Sequence, residues 1–435
     1  MDARTTALSA LIACRTQAAW SDGILKEYIA RDMLDGRDAA FASRLCYGVL
    51  QNRMLLDYYL AQKVKGELKK LQPVVLDILR LGAYQILFCD RVPVSAAVNE
   101  AVEQTKRYAN RAAAGLVNGV LRALVRDKDT LRQPDDLATR YSHPQPLVDL
   151  LAGTLPDGQL EPFLAANNTP APTCLQVNPL RASVDEICAA MEENGVSYVP
   201  HPWLAGAFLV SGTGSLEKLP IFREGKVYVQ DAAAHLAVAV SGVQPGMLVL
   251  DCCAAPGGKS FAAAMQMENK GEIIACDIHA HKTAIIEKGA ERLDIGIIRA
   301  MQMDAREEKK DFLGRFDTVI ADVPCSGFGV IRKKPDIRYK DLAPMEKLPQ
   351  IQRAILENVC RYVAPGGVLL YSTCTVLRRE NEDVARAFLQ AHPEFSPETV
   401  DLPQQLRLEN DGMLTMLPQL HESDGFFICK LRRHV

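Results

Sequence analysis

Residues 247–260 read M-L-V-L-D-C-C-A-A-P-G-G-K-S: an apolar run closing on Leu250-Asp251, a turn with paired glycines, then the start of a helical pattern. A short apolar run bounded by turn residues and followed by a helix is the opening of a βαβ unit. Gly257 and Gly258 permit tight backbone geometry and the close approach of a ligand. The alternation continues downstream. Strand patterns fall at 272–276, 297–303, 316–321 and 368–372, helical patterns at 280–293, 347–363 and 380–391, and a last strand at 426–431. From about residue 225 the chain is therefore expected to be α/β, a mostly parallel, doubly wound, Rossmann-like sheet. Ligands of such sheets bind beyond the carboxyl ends of the strands, where this chain places its unusual residues.

The turn lacks both common phosphate fingerprints. Gly258-Lys259-Ser260 fits the tail of a phosphate loop, but the position of its first glycine holds Cys253, and no G-x-G-x-x-G is present. This weakens the rival reading of a P-loop nucleotidase, which nucleotide hydrolysis assays would discriminate, and suits a ligand with ribose and adenine but no pyrophosphate. Asp277 ends the next strand, where such sheets place the acid that grips ribose hydroxyls. Asp304 follows the third strand, within reach of an adenine amine, and Asp322 ends the fourth. S-adenosylmethionine fits this set.

Two cysteines also follow strands: Cys325 in D-V-P-C-S-G-F-G and Cys374 in Y-S-T-C-T. Carbon 5 of a pyrimidine is a poor nucleophile until a thiolate adds to carbon 6 and makes the ring enamine-like. A thiol beside a methyl donor, a second group to assist release and a carboxyl such as Asp322 are the parts this chemistry needs. Spacing leaves open which thiol attacks. The intact thiols, Lys259 and Asp277 weigh against a non-catalytic RNA-binding factor. The glycine-bearing loop 327–338 carries Arg332, Lys333, Lys334 and Arg338, a set suited to phosphates.

Outward from this core, residues 1–126 read as helices. Leu76, Leu79, Ala83 and Ile86 form one apolar stripe, and Leu116, Val117, Val120, Leu121 and Leu124 another. This block holds 18 Lys or Arg against 12 Asp or Glu, while the remainder holds 32 against 41. The asymmetry points to an anionic partner for the N-terminal block. The polar, proline-bearing stretch 126–146 reads as a linker. Residues 147–222 read as a small α/β subdomain with a strand at 173–177 and a helix at 184–194.

The chain has 435 residues, too many for one core, and a net charge of −3. No apolar run reaches membrane-spanning length and no secretion signal is visible. The 12 cysteines include no C-x-x-C pair. Free thiols in a cytoplasmic protein are expected, with no metal site and no membrane association.

Three motifs, C-A-A-P-G-G-K-S (253–260), D-V-P-C-S-G-F-G-V-I-R-K-K-P-D-I-R-Y (322–339) and Y-S-T-C-T-V-L-R-R-E-N-E (371–382), resemble the RNA cytosine-5 methyltransferases of the Nol1/Nop2/Sun (Fmu) group. The ending D-G-F-F-I-C-K-L-R-R is similar to that family's last strand. L-R-L-G-A-Y-Q-I-L-F, V-P-V-S-A-A-V-N-E-A-V and G-L-V-N-G-V-L-R-A-L resemble the NusB-type helical RNA-binding domain. The resemblance implies a NusB-like bundle over 1–140, a linker and small α/β subdomain over 141–224, and a class I methyltransferase domain over 225–435. It implies S-adenosylmethionine as methyl donor without a metal, and 16S small-subunit ribosomal RNA or its precursor as partner of a monomer. It makes Cys374 the nucleophile and Cys325 the residue that assists product release. In DNA cytosine methyltransferases the Pro-Cys cysteine attacks instead. By the same resemblance Cys253, Ala254, Ala255, Pro256, Gly257, Gly258, Lys259, Asp277, Asp304 and Asp322 line the donor site, and Lys259 and Asp322 also face the target base. The chain departs from the family's usual residues at Pro146, Gln176 and Ser260.

Overall fold

Helix Pro73–Phe88 is apolar on almost every side, with Val75, Ile78, Leu79, Leu81, Ala83 and Ile86 buried. A helix of that kind needs other helices around it. Ala3–Gln17, Gly36–Gln51, Arg53–Ala61, Val94–Tyr108 and Arg111–Arg126 supply them. Val117, Val120, Leu121 and Leu124 turn the stripe read from the sequence inward. One crossing depends on glycine: a Cβ on Gly48 would lie 1.9 Å from Cζ of Tyr84. In this computed structural model residues 1–435 are described, apart from 18–19, 212, 214–215, 407 and 409–410. The helices belong to a first compact unit, Met1–Thr169 with Ile331–Lys340; Pro170–Val330 with Asp341–Val435 form a second.

Two expectations are corrected in the first unit. The stretch 126–146 is folded rather than a solvated linker. Asp136 caps the helix Leu137–Arg140, accepting from the Thr139 N–H at 2.7 Å. Ser142 and His143 are fully buried, and the Ser142 hydroxyl accepts from the Leu55 N–H at 3.1 Å. Its polar residues satisfy backbone groups, nearby for Asp136 and distant for Ser142, which composition cannot distinguish from solvation. Arg338, grouped from the sequence with phosphate-binding residues, is also buried. Nη1 donates to the carbonyls of Gln51 (3.0 Å) and Tyr141 (3.2 Å) and to Oδ1 of Asn168 (2.8 Å), and Nη2 to the carbonyl of Asn167 (3.3 Å). It clasps the chain rather than a phosphate.

The second unit holds two sheets. In the smaller, β1 (Thr173–Val177), β2 (Ser197–Pro200), β3 (Ala207–Ser211) and β4 (Val227–Val229) run in the order β2-β3-β1-β4, all antiparallel. The helix Val184–Glu193 starts with a capping box between Ser183 and Glu186. Only β1 and this helix were legible in the sequence. The other strands have at most five residues and are bounded by Pro200, Pro202 and glycines.

The larger sheet comprises β5 (Leu248–Asp251), β6 (Glu272–Asp277), β7 (Ile298–Gln302), β8 (Phe316–Asp322), β9 (Val363–Thr373), β10 (Phe395–Pro397), β11 (Met413–Met416) and β12 (Phe426–Arg433). Its order is β10-β12-β9-β8-β5-β6-β7, with β11 beside β12. β9-β8-β5-β6-β7 are parallel, and β12 runs antiparallel to β9. Successive side chains on a strand face opposite sides, so each strand feeds two cores. Val249, Ile273, Ile320, Leu370 and Ile428 pack on one face, and Leu250, Ile274, Val319, Leu369 and Phe427 on the other. The uninterrupted apolar runs seen in the sequence follow from that double burial.

Candidate active site

β5 and β8 are neighbours, and β8 and β9 are neighbours. The residues that end these three strands therefore meet on one rim. After Asp251 the chain turns through Cys252–Gly257 into the helix Gly258–Gln266. Cys252 N–H bonds the Ile320 carbonyl (3.0 Å) and Ala254 N–H the Cys276 carbonyl (2.7 Å), which pins the turn to β8 and β6. Ala255–Pro256 is cis and Gly257 has φ +110°. The left-handed conformation at Gly257 favours glycine, and a Cβ there would meet the Phe261 ring at 2.5 Å.

Beneath the turn, Asp251 is fully buried and accepts from the Ser260 hydroxyl at 2.7 Å. Burial pushes its carboxyl up to about 7. The serine that stands where the family often has threonine thus supplies the hydroxyl this acid needs.

Lys259 and Asp322 form the polar centre. Nζ of Lys259 lies 2.6 Å from Oδ2 of Asp322, and the Ser372 hydroxyl donates to Oδ1 at 2.8 Å. β8–β9 register explains the second bond, because Asp322 pairs with Ser372. Nζ also stands 4.9 Å from the centre of the Phe426 ring, a cation–π contact. Burial opposes the charge on Lys259, but the Asp322 carboxylate outweighs it and holds the ammonium above the ordinary lysine value. Side-chain exposure is 10% for Lys259 and 29% for Asp322, so the pair is dry on one side and open on the other. The open side is a cleft lined by Gln230, Asp251, Cys253, Ala254, Ala255, Pro256, Gly258, Lys259 and Asp322.

Cys325 and Cys374 come together beside this pair. Their sulfurs are 3.2 Å apart, and both are free thiols. The hydrogen bond with Cys374, burial, and the charges of Glu380 and Asp322 push the Cys325 thiol well above the ordinary value. Cys325 keeps its proton and can donate it toward the Cys374 sulfur.

The two remaining acids lie further along the rim. Asp277 ends β6, and the His279 N–H (3.0 Å) and the Lys282 ammonium (3.7 Å) both approach its Oδ1. Asp304 lies beyond β7, its carboxylate forked by Arg306 with Nη2 at 2.5 Å from Oδ2. Ser372 and Phe426 were not singled out from the sequence. The signal for Ser372 was its place two residues before Cys374; for Phe426 there was none, because its approach to Lys259 depends on β12 folding back.

Among the described residues no cluster of three or more His, Cys, Asp or Glu side chains is arranged to hold a metal ion, and no helix is long and apolar enough to cross a membrane.

Comparison with known proteins adds to this geometry. The family described as 16S rRNA methyltransferase RsmB/F matches residues 239–432, the NusB family residues 1–126, and the ferredoxin-like domain of RsmF/B-like methyltransferases residues 143–217. A protein named probable ribosomal RNA small subunit methyltransferase B from Bacillus subtilis is 37% identical over 99% of this chain and 98% of its own length. The ribosomal RNA small subunit methyltransferase B of Vibrio cholerae is 34% identical over 93% of this chain and 92% of its own. Among solved structures, that of PH0851 superposes with a TM-score of 0.82 at 26% identity, covering 99% of this chain and 98% of that one. NSun6 from Pyrococcus horikoshii, determined with SFG, has a TM-score of 0.59 at 21% identity over 67% of this chain and 98% of its own, a likeness of fold.

Proposed function

The chain belongs to the ribosomal RNA small subunit methyltransferase B (RsmB/F) family, and from that premise we propose that it methylates carbon 5 of a cytosine in 16S ribosomal RNA through a covalent Cys374–cytosine adduct. The observation that carries the reading is the 3.2 Å approach of two free thiols at the rim that holds the Lys259–Asp322 pair and the paired-glycine turn.

S-adenosylmethionine, when bound, supplies an electrophilic methyl carbon on a sulfonium. The residues present fit it. The turn Cys253–Lys259 forms the floor of an open cleft, and Asp277 ends β6 where a ribose is gripped. Asp304, beyond β7, would face the adenine amine. The cleft offers no phosphate-loop glycine.

The target base leaves its stack to reach the site. Asp322 and Lys259 then orient its polar edge. Cys325 retains its proton and hydrogen-bonds Cys374. The Cys374 sulfur adds to carbon 6, and the electron pair displaced to carbon 5 takes the methyl carbon as the methyl–sulfonium bond breaks and its electrons stay on the donor sulfur, leaving a neutral thioether. A base removes the proton from carbon 5, the ring double bond re-forms, and the bond between carbon 6 and Sγ breaks with the electrons returning to sulfur. Cys325 assists this departure by hydrogen-bonding the leaving thiolate.

The test is trapping. Cys374→Ala is expected to abolish methyl transfer, and Cys325→Ala to leave an RNA–protein adduct that survives denaturation. If Cys374→Ala turned over while Cys325→Ala did not, the two roles would be exchanged. Methylation mapping of ribosomal RNA from cells lacking the protein identifies the cytosine.

A further inference from the structure

The run Arg379-Glu380-Asn381-Glu382, next to Cys374 in the sequence, has no part in the chemistry above. Its two central residues are fully buried. Oε2 of Glu380 accepts from the Ser326 N–H at 2.9 Å and from the Gln352 amide at 3.0 Å, and the same Gln352 amide donates to the Pro324 carbonyl at 3.0 Å. The turn Pro324–Ser326 is thus held on both sides of Cys325. Asn381 does the equivalent for the other thiol. Its Oδ1 accepts from the Thr373 hydroxyl at 2.5 Å and its Nδ2 donates to the Thr375 carbonyl at 3.0 Å, so Cys374 is held by its two neighbours. The Ser326 and Thr375 hydroxyls close the frame at 2.8 Å, and the Tyr371 hydroxyl donates to the Glu380 carbonyl, fastening the pair to β9.

We propose that Glu380 and Asn381 are paired positioning residues that set the distance between the Cys325 and Cys374 sulfurs, each adjacent residue holding one thiol-bearing segment. A buried carboxylate is costly, and Oε1 of Glu380 is buried with no hydrogen-bond partner. Folding alone does not call for an acid here; an amide would accept the same two bonds. The negative charge lies beside Cys325 and favours its protonated form, the state in which it donates to Cys374. The two residues therefore fix both the geometry and the division of roles between thiols that are otherwise alike.

This inference rests on the adduct mechanism, so its experiment has one arm without RNA. Diamide, a two-electron acceptor, links neighbouring thiols: two S–H bonds give one S–S bond while the N=N bond is reduced to a hydrazine. In the full-length protein the linked Cys325 and Cys374 peptides are quantified by mass spectrometry over time. Glu380→Ala and Asn381→Ala are expected to slow linkage by about tenfold, and methyl transfer to fall by about a hundredfold in kcat with KM for RNA changed by less than about threefold. S-adenosylmethionine binding by calorimetry should stay close to wild type, which a general loss of structure would not allow. Glu380→Gln, isosteric and certain to retain an acceptor for the Ser326 N–H, is expected to recover the linkage rate and to move the alkylation of Cys325 to lower pH in a Cys374→Ala background. Linkage and turnover at wild-type rates in both alanine variants would overturn the inference. So would a Glu380→Gln protein as slow to link as Glu380→Ala, or one with an unmoved alkylation profile, even if an alanine variant did not fold. Slowed linkage in the variants of a protein that never methylates a cytosine would leave the frame standing and remove the proposed reaction.

Discussion

Lys259 in the second unit and Arg338 in the first are both cations with almost no exposed surface, but their surroundings differ in kind. Lys259 faces a carboxylate, an aromatic ring and an open cleft. Arg338 faces backbone carbonyls and the amide of Asn168, all neutral. Burial without a countercharge lowers the Arg338 guanidinium to about 10, whereas Asp322 holds the Lys259 ammonium up. A charge whose partner is itself partly open can turn to a substrate. One whose Nη groups are bound to carbonyl oxygens holds the chain together. A planar five-donor fork suits the second task and a single ammonium the first.

The contrast can be broken most directly at Arg338. Arg338→Met leaves the carbonyls of Gln51, Tyr141 and Asn167 without this donor and should destabilise the first unit by about 3–5 kcal/mol. Chemical denaturation measures this, and S-adenosylmethionine affinity in the second unit should not move. Arg338→Lys should recover little. Next in size, Lys259→Met should cost about a hundredfold to a thousandfold in the single-turnover methyl-transfer rate, the scale of one lost electrostatic contact. A Lys259→Met protein with normal chemistry, or an Arg338→Met protein with normal stability, would dissolve the distinction.

Asp251 sharpens the same comparison from the acid side. Its folded value, about 7, lies above its ordinary 3.8, so its contribution to stability is complete below about pH 4 and is lost as pH rises through 7. Asp251→Asn should flatten that slope in denaturant midpoints measured between pH 4 and 8. The smallest effect belongs to Glu398, held near 2 by Arg432 and then Lys430. Its contribution is present above about 4.5 and lost as pH falls through 2, so Glu398→Gln should matter only on the neutral side of that window.

How legible these features were in the sequence depended on their range. The parallel sheet was readable because β5, β6, β8 and β9 are largely buried on both faces and keep apolar runs, while the edge strand β7 is half-exposed. The acids that end β6 and β8 were readable because Asp277 and Asp322 close such runs. The stretch 126–146 was misread because a buried serine or histidine looks the same in composition as a solvated one. Arg338 was misread because its neighbours Arg332, Lys333 and Lys334 suggested a common purpose, whereas its carbonyl partners lie far away along the chain. Short strands such as β10 and β11 exist through their pairing with β12 and left no periodic trace.

By itself the sequence determined the order of strands and helices along the parallel sheet, the paired-glycine turn, and which residue types end those strands, because periodicity and strand ends are local properties of a chain. Only the tertiary structure decided that Cys325 and Cys374, separated by a helix and a strand, stand 3.2 Å apart, that Ser372 and Phe426 attend the Lys259–Asp322 pair, and that Glu380 and Asn381 frame the thiols. Those distances arise from strand register and from a chain that returns antiparallel along β9, and such long-range closures have no counterpart in any local stretch of residues.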